Sequence, residues 1–423
     1  MNRAFRPVVR SARAHGAAAR HASSAAATKP APKAAPASRP RFVSGLSATQ
    51  QKLVYDLASE RQTSVSLLQL YKFGLLAAKE DDDQQETLIQ AAHFLHKELP
   101  IRMSHRIVEL EHLPDNLSES PAVQKVAKWY ADSVEQMMAH PEITDPETEQ
   151  SLTRMITAIY GRHSATLVTM ARGIAEFKHS KGVGTTMPLP EELESAVQRF
   201  LDGFYSSRIG IRTLIEQHIA LHNPQEGHVG IINTHSNPVE ICRGAVADAQ
   251  IMCERELGDA PEATIYGDDA FTFNYIDSHI HHIVFELVKN AMRAVIERHG
   301  DDSPPPVRVI VAAGSQHEDV VIKVSDEGGG IPRSGMKRVW SYFYTSANSG
   351  TFDAFSDGAD FSTNTPLAGL GYGLPLSRLY ARYFGGDLQV IPMQGYGTDA
   401  YCFLKRVADA TEPEPPVPAE ARA

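Results

Sequence analysis

Cysteine is scarce. Cys242, Cys253 and Cys402 are the only three in 423 residues and no two share a CxxC spacing, so neither a disulfide framework nor a zinc site has a sequence pattern to rest on. They are expected as reduced thiols in a core. No apolar run approaches the ~20 residues that span a bilayer, so no membrane insertion is expected. No GxxxxGK[ST] occurs, which removes a Walker-type phosphate loop. Acid is missing from the first part of the chain: residues 1–41 hold nine positives, the arginines 3, 6, 10, 13, 20, 39 and 41 with Lys29 and Lys33, and the first acidic residue is Asp56. Taking those nine positives from the net charge of -10 leaves -19 for the remainder. A body that acidic makes nucleic acid a poor partner. An acid-free head rich in Arg, Ala and Ser has the composition of an organellar transit peptide, and Arg recurring through the first twenty residues points to the mitochondrial matrix. Composition does not separate this from a basic tail without a targeting role.

What is present divides the chain. Residues 1–41 read as transit peptide and disordered spacer, the latter Pro/Ala/Ser-rich from Thr28 to Pro40. From 42 to 223, the segments 47–60, 65–79, 84–98, 121–140, 146–180 and 190–222 carry helical periodicity, broken at Pro100, Pro114-Asp115-Asn116, Pro141 and the Gly182–Pro190 loop. This half predicts a helical bundle. From 224 to 406, short apolar runs at 228–232, 263–266, 306–312, 319–324, 387–392 and 399–405 suit strands, and helices at 237–256, 280–299 and 373–384 separate them. The expectation is an α/β sandwich with its helices on one face. The polar stretch 345–368 reads as a lid or disorder, and 407–423, acidic and Pro-rich, as a disordered tail.

The rest of the chain is organised around 282–299, HIVFELVKNAMRAVIERH. At about 100° per residue, His282, Glu286, Asn290, Arg293 and Glu297 fall on one narrow stripe. Val284, Val288, Ala291 and Val295 cover the opposite side, flanked by Ile283, Leu287, Met292 and Ala294. A helix apolar on all but one face belongs inside a domain. Its stripe then faces an internal cleft, or else forms ordinary i, i+4 pairs with solvent beyond; periodicity leaves both open.

Three glycine-rich stretches follow. Asp326-Glu327-Gly328-Gly329-Gly330 comes directly after the apolar run VVIKV; a carboxylate at a strand end, where backbone approaches closely, can accept from an adenine amino group. Gly369-Leu370-Gly371-Tyr372-Gly373-Leu374 opens a helix, where freed backbone N–H groups can cradle phosphates. Gly395-Tyr396-Gly397-Thr398 lies between the last two strands and can bring Thr398 to a base. Each alone is equally a turn. In this order, after a helix with Glu and Asn at i, i+4, they resemble the Bergerat-type ATP-binding fold shared by histidine kinases, gyrase and MutL.

The likeness narrows at five blocks: residues 93–117, 199–222 (RFLDGFYSSRIGIRTLIEQHIALH), 279–295 (HIHHIVFELVKNAMRAV), 325–335 (SDEGGGIPRSG) and 369–401. Over about residues 47–405 the sequence resembles the mitochondrial protein kinases of the 2-oxo acid dehydrogenase complexes, nearest the pyruvate branch and its plant-type members. That resemblance implies an ATP-dependent protein-serine kinase acting on the E1 alpha subunit of pyruvate dehydrogenase. The branched-chain complex is the alternative, suggested by Gly210 and the VGIINT run at 229–234. It implies Glu286 as general base with His282 as its partner, and Asn290 as the Mg2+ ligand. Nucleotide contacts would fall along Glu286, Leu287, Val288, Lys289, Asn290, Ala291, Met292 and Arg293. Further contacts are implied at Asp326, Gly328, Gly330, Thr345, Ser346, at Gly369 to Leu374, and at Thr398. His163, Arg208 and Arg212 match a regulatory pocket. ATP and Mg2+ are the implied cofactors, with K+ as a further ion; the lipoyl domain of the E2 core and a second copy of the chain are the implied partners. Two departures stand out. Tyr160 replaces an arginine common in the pyruvate pocket of animal members, and the C terminus lacks their Asp-Trp tail motif.

Overall fold

The computed structural model describes residues 46–77, 82–181, 190–300, 303–314, 319–343, 371–406 and 411–413. Phe42–Ala423 forms one compact unit. Its first part is helical: α1 (Ala48–Ala58), α2 (Leu67–Ala77), α3 (Asp82–Glu111), α4 (Pro121–Ala139), α5 (Pro146–Arg162), α6 (Thr166–Ser180) and α7 (Glu191–Leu221). Local chemistry sets several starts. Ser47 and Gln50 form a capping box on α1, Asp145 caps α5 by accepting from the N–H groups of Glu147 and Thr148, and Pro121 and Pro146 sit at first-turn positions where no N–H is needed.

One expected break is absent and one unexpected break is present. Pro100 lies inside the 30-residue α3 and does not end it. A proline there costs about 3 kcal/mol, but Leu99, Ile101, Met103 and Ile107 are all buried, and packing of this order outweighs the lost hydrogen bond. The segment 146–180 is two helices, divided after Arg162 where the His163 N–H closes on Ile159 and the Ser164 N–H on Gly161. The break at Pro114 stands as expected: Asp115 and Asn116 have φ of 61° and 65°.

The second part carries two sheets. His228–Val229 (β1), Ile232–Ser236 (β2) and Phe273–Tyr275 (β4) form a small antiparallel one in the order β1-β2-β4. The single strand expected over 228–232 is instead turned at Gly230, φ +61°, where any Cβ would strike the Gln217 side chain. The larger sheet holds Ala263–Tyr266 (β3), Val307–Ala313 (β5), Val320–Ser325 (β6), Asp387–Met393 (β7) and Gly397–Leu404 (β8), in the order β3-β5-β6-β8-β7. Only β3 and β5 run parallel in it. Its residues alternate: Val307, Val309, Val320, Ile322, Val324, Cys402 and Leu404 are buried, while Arg308, Lys323, Tyr401 and Phe403 are half-buried. Pro238–Leu257 (α8), Asp277–His299 (α9) and Gly373–Tyr383 (α10) cover the buried face. The expected architecture, a bundle followed by an α/β sandwich, is the one observed. All three cysteines are free and buried, and burial pushes the Cys242 thiol up to about 12.

Part of the tail is not as expected. Glu412 is buried and its carboxylate accepts from Arg102 of α3 and from Tyr383 of α10, while Thr411 bridges to Ser66. Arg102 is itself buried and bonds Glu98 at 2.9 Å, so its guanidinium needs a second carboxylate that the bundle does not supply.

Candidate functional site

A cavity of about 450 Å³ opens between α8, α9, the β6–β8 edge of the sheet and the start of α10. Pockets for small organic ligands are of this size. Helix α9 supplies one wall, because its apolar side is spent on the sheet and on α8. Ile283, Val284, Val288, Met292 and Val295 are all at 0% exposure. From Glu286 onward the polar stripe therefore turns to the cavity, while His282 stands outside it and the i, i+4 pair of Arg293 with Glu297 lies where the stripe reaches solvent. Glu286, Leu287, Lys289, Asn290, Ala291 and Arg293 line the cavity.

Glu286 is 6% exposed and Lys289 8%. The Lys289 ammonium donates to both Glu286 carboxylate oxygens, 2.7 Å each. A carboxylate this buried needs a cation or hydrogen-bond donors, and the lysine supplies both. Among the described residues no hydrogen bond joins His282, the expected partner, to Glu286. Its ring packs against Tyr380 at 4.7 Å and its Nε2 is buried without a partner. Burial lowers its pKa, against the attraction of the Glu286 charge. Asn290, one turn on, is exposed to the cavity. Gly373, the first residue of α10, stands against this pair: a Cβ there would collide with Glu286 Oε2. Arg293 is held by Glu297, Nε to Oε1 at 2.7 Å, at the mouth where Glu297 meets solvent.

The opposite wall is the glycine turn after β6. Asp326 is 8% exposed, and its Oδ1 accepts from the N–H of Gly328 at 2.8 Å and of Thr398 at 3.2 Å. Among the described residues no hydrogen bond is made to Oδ2. Burial pushes this carboxyl up, against those two bonds, which lower it. Glycine is required here for space. A Cβ on Gly328 would enter the backbone of Ala294 on α9, and one on Gly397 would strike the Asp326 carbonyl. Arg298 fixes the whole corner, donating to the carbonyls of Tyr396 at 2.6 Å, Gly395 at 2.9 Å and Glu327 at 3.1 Å.

Of the other expected contacts, Gly330, Gly371, Leu374 and Thr398 line the same cavity. Val288 and Met292 do not: they are core residues, facing away from it. Tyr372 is likewise withdrawn, packed between Tyr205 and Tyr342 with centroids at 5.8 and 5.0 Å. Thr345, Ser346, Gly369 and Leu370 lie outside the described residues. Sequence reasoning missed Met252, Cys253 and Leu257 of α8, which supply apolar lining, and Val324, Val390 and Ala400 of the sheet. The three sheet residues were open to strand alternation; α8 carried no motif.

Away from the cavity, His163 and Arg208 do meet. Arg208 donates to the carbonyls of His163 at 3.3 Å and Ser164 at 3.4 Å. The His163 ring is buried against Tyr130, and its Nε2 lies 3.2 Å from the Trp129 carbonyl. The Ser133 hydroxyl is nearer still, 3.0 Å from the same nitrogen, so the ring is tied into the bundle on that side. Burial takes the pKa of this histidine down to about 4. Arg212 belongs to a separate knot, lying over the Tyr160 ring at 3.8 Å and bonding both the Tyr160 hydroxyl and Glu216.

The donor set fits a nucleotide and a hard cation: a buried acceptor beside glycine turns at one end, and at the other an amide next to a carboxylate at a helix start. Residues 276–408 match the family model described as histidine kinase-, DNA gyrase B-, and HSP90-like ATPase, which sets the class of the sandwich. Residues 64–233 match the model described as mitochondrial branched-chain alpha-ketoacid dehydrogenase kinase. Relatives span both parts. A mitochondrial pyruvate dehydrogenase (acetyl-transferring) kinase of Arabidopsis thaliana is 48% identical over 84% of this chain and 93% of its own. One of Schizosaccharomyces pombe is 35% identical over 88% and 100%, and isozyme 1 of Homo sapiens 37% over 74% and 72%. The chain belongs to the family of mitochondrial pyruvate dehydrogenase kinases.

Proposed function

We propose that this protein is an ATP-dependent protein-serine kinase that phosphorylates the E1 alpha subunit of the pyruvate dehydrogenase complex in the mitochondrial matrix, with residues 1–41 as its transit peptide and spacer. The observation that carries the reading is the placing of Glu286 and Asn290 one helical turn apart on one wall of the cavity that Asp326 closes on the other. Asp326 Oδ2 accepts from the adenine amino group, and Thr398 completes the base pocket. Asn290 offers its amide oxygen to Mg2+, which when bound neutralises charge on the phosphates. Glu286 takes the proton of the serine hydroxyl as it attacks the terminal phosphoryl group. For that the Lys289 ammonium shifts from the carboxylate towards the phosphate side, a short swing for a side chain with four rotatable bonds. Phosphoryl transfer asks little more than an in-line hydroxyl, a base and compensated oxygens. A lipoyl domain of the E2 core is the proposed anchor, and a homodimer the proposed assembly.

The branched-chain alternative draws on the description of the bundle model; the three relatives named above, which cover 74% to 88% of this chain, carry the pyruvate dehydrogenase name. Incubation of both purified E1 proteins with the kinase and Mg-ATP separates the two. Phosphoserine on the pyruvate dehydrogenase E1 alpha is expected, and preference for the branched-chain E1 would overturn the assignment.

A further inference from the structure

Far from the nucleotide cavity, α5 and the end of α7 bring together Glu149, His218 and His222. His218 and His222 stand at i, i+4 on α7 and its C-cap, and Glu149 faces them from the first turn of α5. The two Nε2 atoms lie 3.1 and 2.8 Å from Glu149 Oε1. The Thr153 hydroxyl, one turn along α5, is 2.9 Å from that oxygen, 2.8 Å from His218 Nε2 and 3.3 Å from His222 Nε2.

Hydrogen bonding alone serves this group poorly. Glu149 is at 0% exposure, and no lysine or arginine forms an ion pair with it among the described residues. Three donors crowd its Oε1 while Oε2, equally buried, has no partner, and His218 Nδ1 has none either. A buried carboxylate needs positive charge close by. Protonating both imidazoles would set two cations within 4.8 Å of each other. A divalent ion supplies the charge without that repulsion.

We infer that Glu149, His218 and His222 form a binding site for a zinc-class divalent cation, with Thr153 or a water in the fourth position. Two imidazoles and a carboxylate are the donors that such ions take. A tetrahedral ion with bonds of ~2.0–2.1 Å spaces its ligand atoms roughly 3.3 Å apart; the two Glu149–His separations, 3.1 and 2.8 Å, need only a slight opening, and the three ligand atoms all lie within 4.8 Å of one another. His222, 22% exposed, gives access from the surface. Bound there, the ion clamps α5 to α7, the two helices that also meet around Tyr160 and Arg212. The two histidines have the i, i+4 spacing of an HExxH without its glutamate, and the acid comes from a facing helix, 73 residues before His222.

The test uses the full chain, stripped with a chelator, dialysed against micromolar Zn2+ and then against buffer, with metal content read by mass spectrometry. One Zn2+ per chain is expected, with a rise in Tm that Mg2+ and Ca2+ do not reproduce. Co2+ in place of Zn2+ should give the visible absorption of a low-coordinate site. His222→Asn and Glu149→Gln should each abolish uptake while nucleotide binding stays as in the wild type; His222 is partly exposed, so its variant is expected to fold. Absence of retained metal, or equal retention by wild type and His222→Asn, would overturn the inference.

Discussion

Lys289 Nζ lies 2.7 Å from each carboxylate oxygen of Glu286, so the residue proposed as base is bonded in its buried position by a neighbour on its own helix. Replacing Glu286 by Gln keeps its shape and most of its contacts. Nucleotide binding, read by a fluorescent analogue, should stay within a few-fold, while phosphoryl transfer should fall by roughly 100-fold or more, the usual weight of a general base. Unchanged transfer would refute the role.

The lysine tests the same relationship from the other side. Lys289→Met leaves a buried carboxylate without its cation, a loss of about 3 kcal/mol by the record of broken buried pairs. Denaturant unfolding should show that loss. His282→Asn should leave stability and transfer far less affected, since no hydrogen bond between His282 and Glu286 is present among the described residues.

Gly373→Ala carries one added methyl into Glu286 Oε2. The substitution is compatible with a helix start, so the fold should survive, and the damage should appear in transfer and not in Tm. Asp326→Asn should weaken ATP binding by about 10- to 100-fold, because it replaces one of the oxygens of a buried acceptor by a donor. Isothermal titration with ATP and GTP would measure both the loss and the fading of the preference between them.

Burial lowers His163 to about 4 and His279 to about 3, from 6.5 in the unfolded chain. Between pH 6.5 and those values the unfolded chain binds protons that the native one refuses. Stability is therefore full above pH 6.5 and falls as the pH drops, by up to ~1.4 kcal/mol per pH unit for each histidine. Unfolding midpoints across pH 4–7 should show this slope, and His163→Asn should make it shallower.

Most of the fold was legible in the sequence, as was the cavity-facing wall of α9, because both rest on local periodicity: the valines of α9 are buried and its stripe faces the cavity from Glu286 onward. What failed was decided by distant contacts. Pro100 reads as a helix stop, and only the packing around Leu99 and Met103 keeps α3 continuous. Glu412 sits in a tail of acid and proline, and nothing local says that Arg102, 310 residues away, needs it. Val288 and Met292 were swept into the nucleotide contacts by lying in a motif, whereas helical phase already set them on the core side. The bond between Lys289 and Glu286 was not foreseen for a related reason: His282 and Lys289 both lie about one turn from the carboxylate, and here the lysine bonds it while the imidazole packs on Tyr380.

The central claim is tested most directly by mixing the protein with Mg-ATP and a reconstituted pyruvate dehydrogenase complex and mapping the phosphorylated sites. The account predicts acid-stable phosphoserine on E1 alpha, falling complex activity, and neither with Glu286→Gln. Phosphate found only as an acid-labile adduct on the kinase itself, or ATP bound without any transfer, would contradict it.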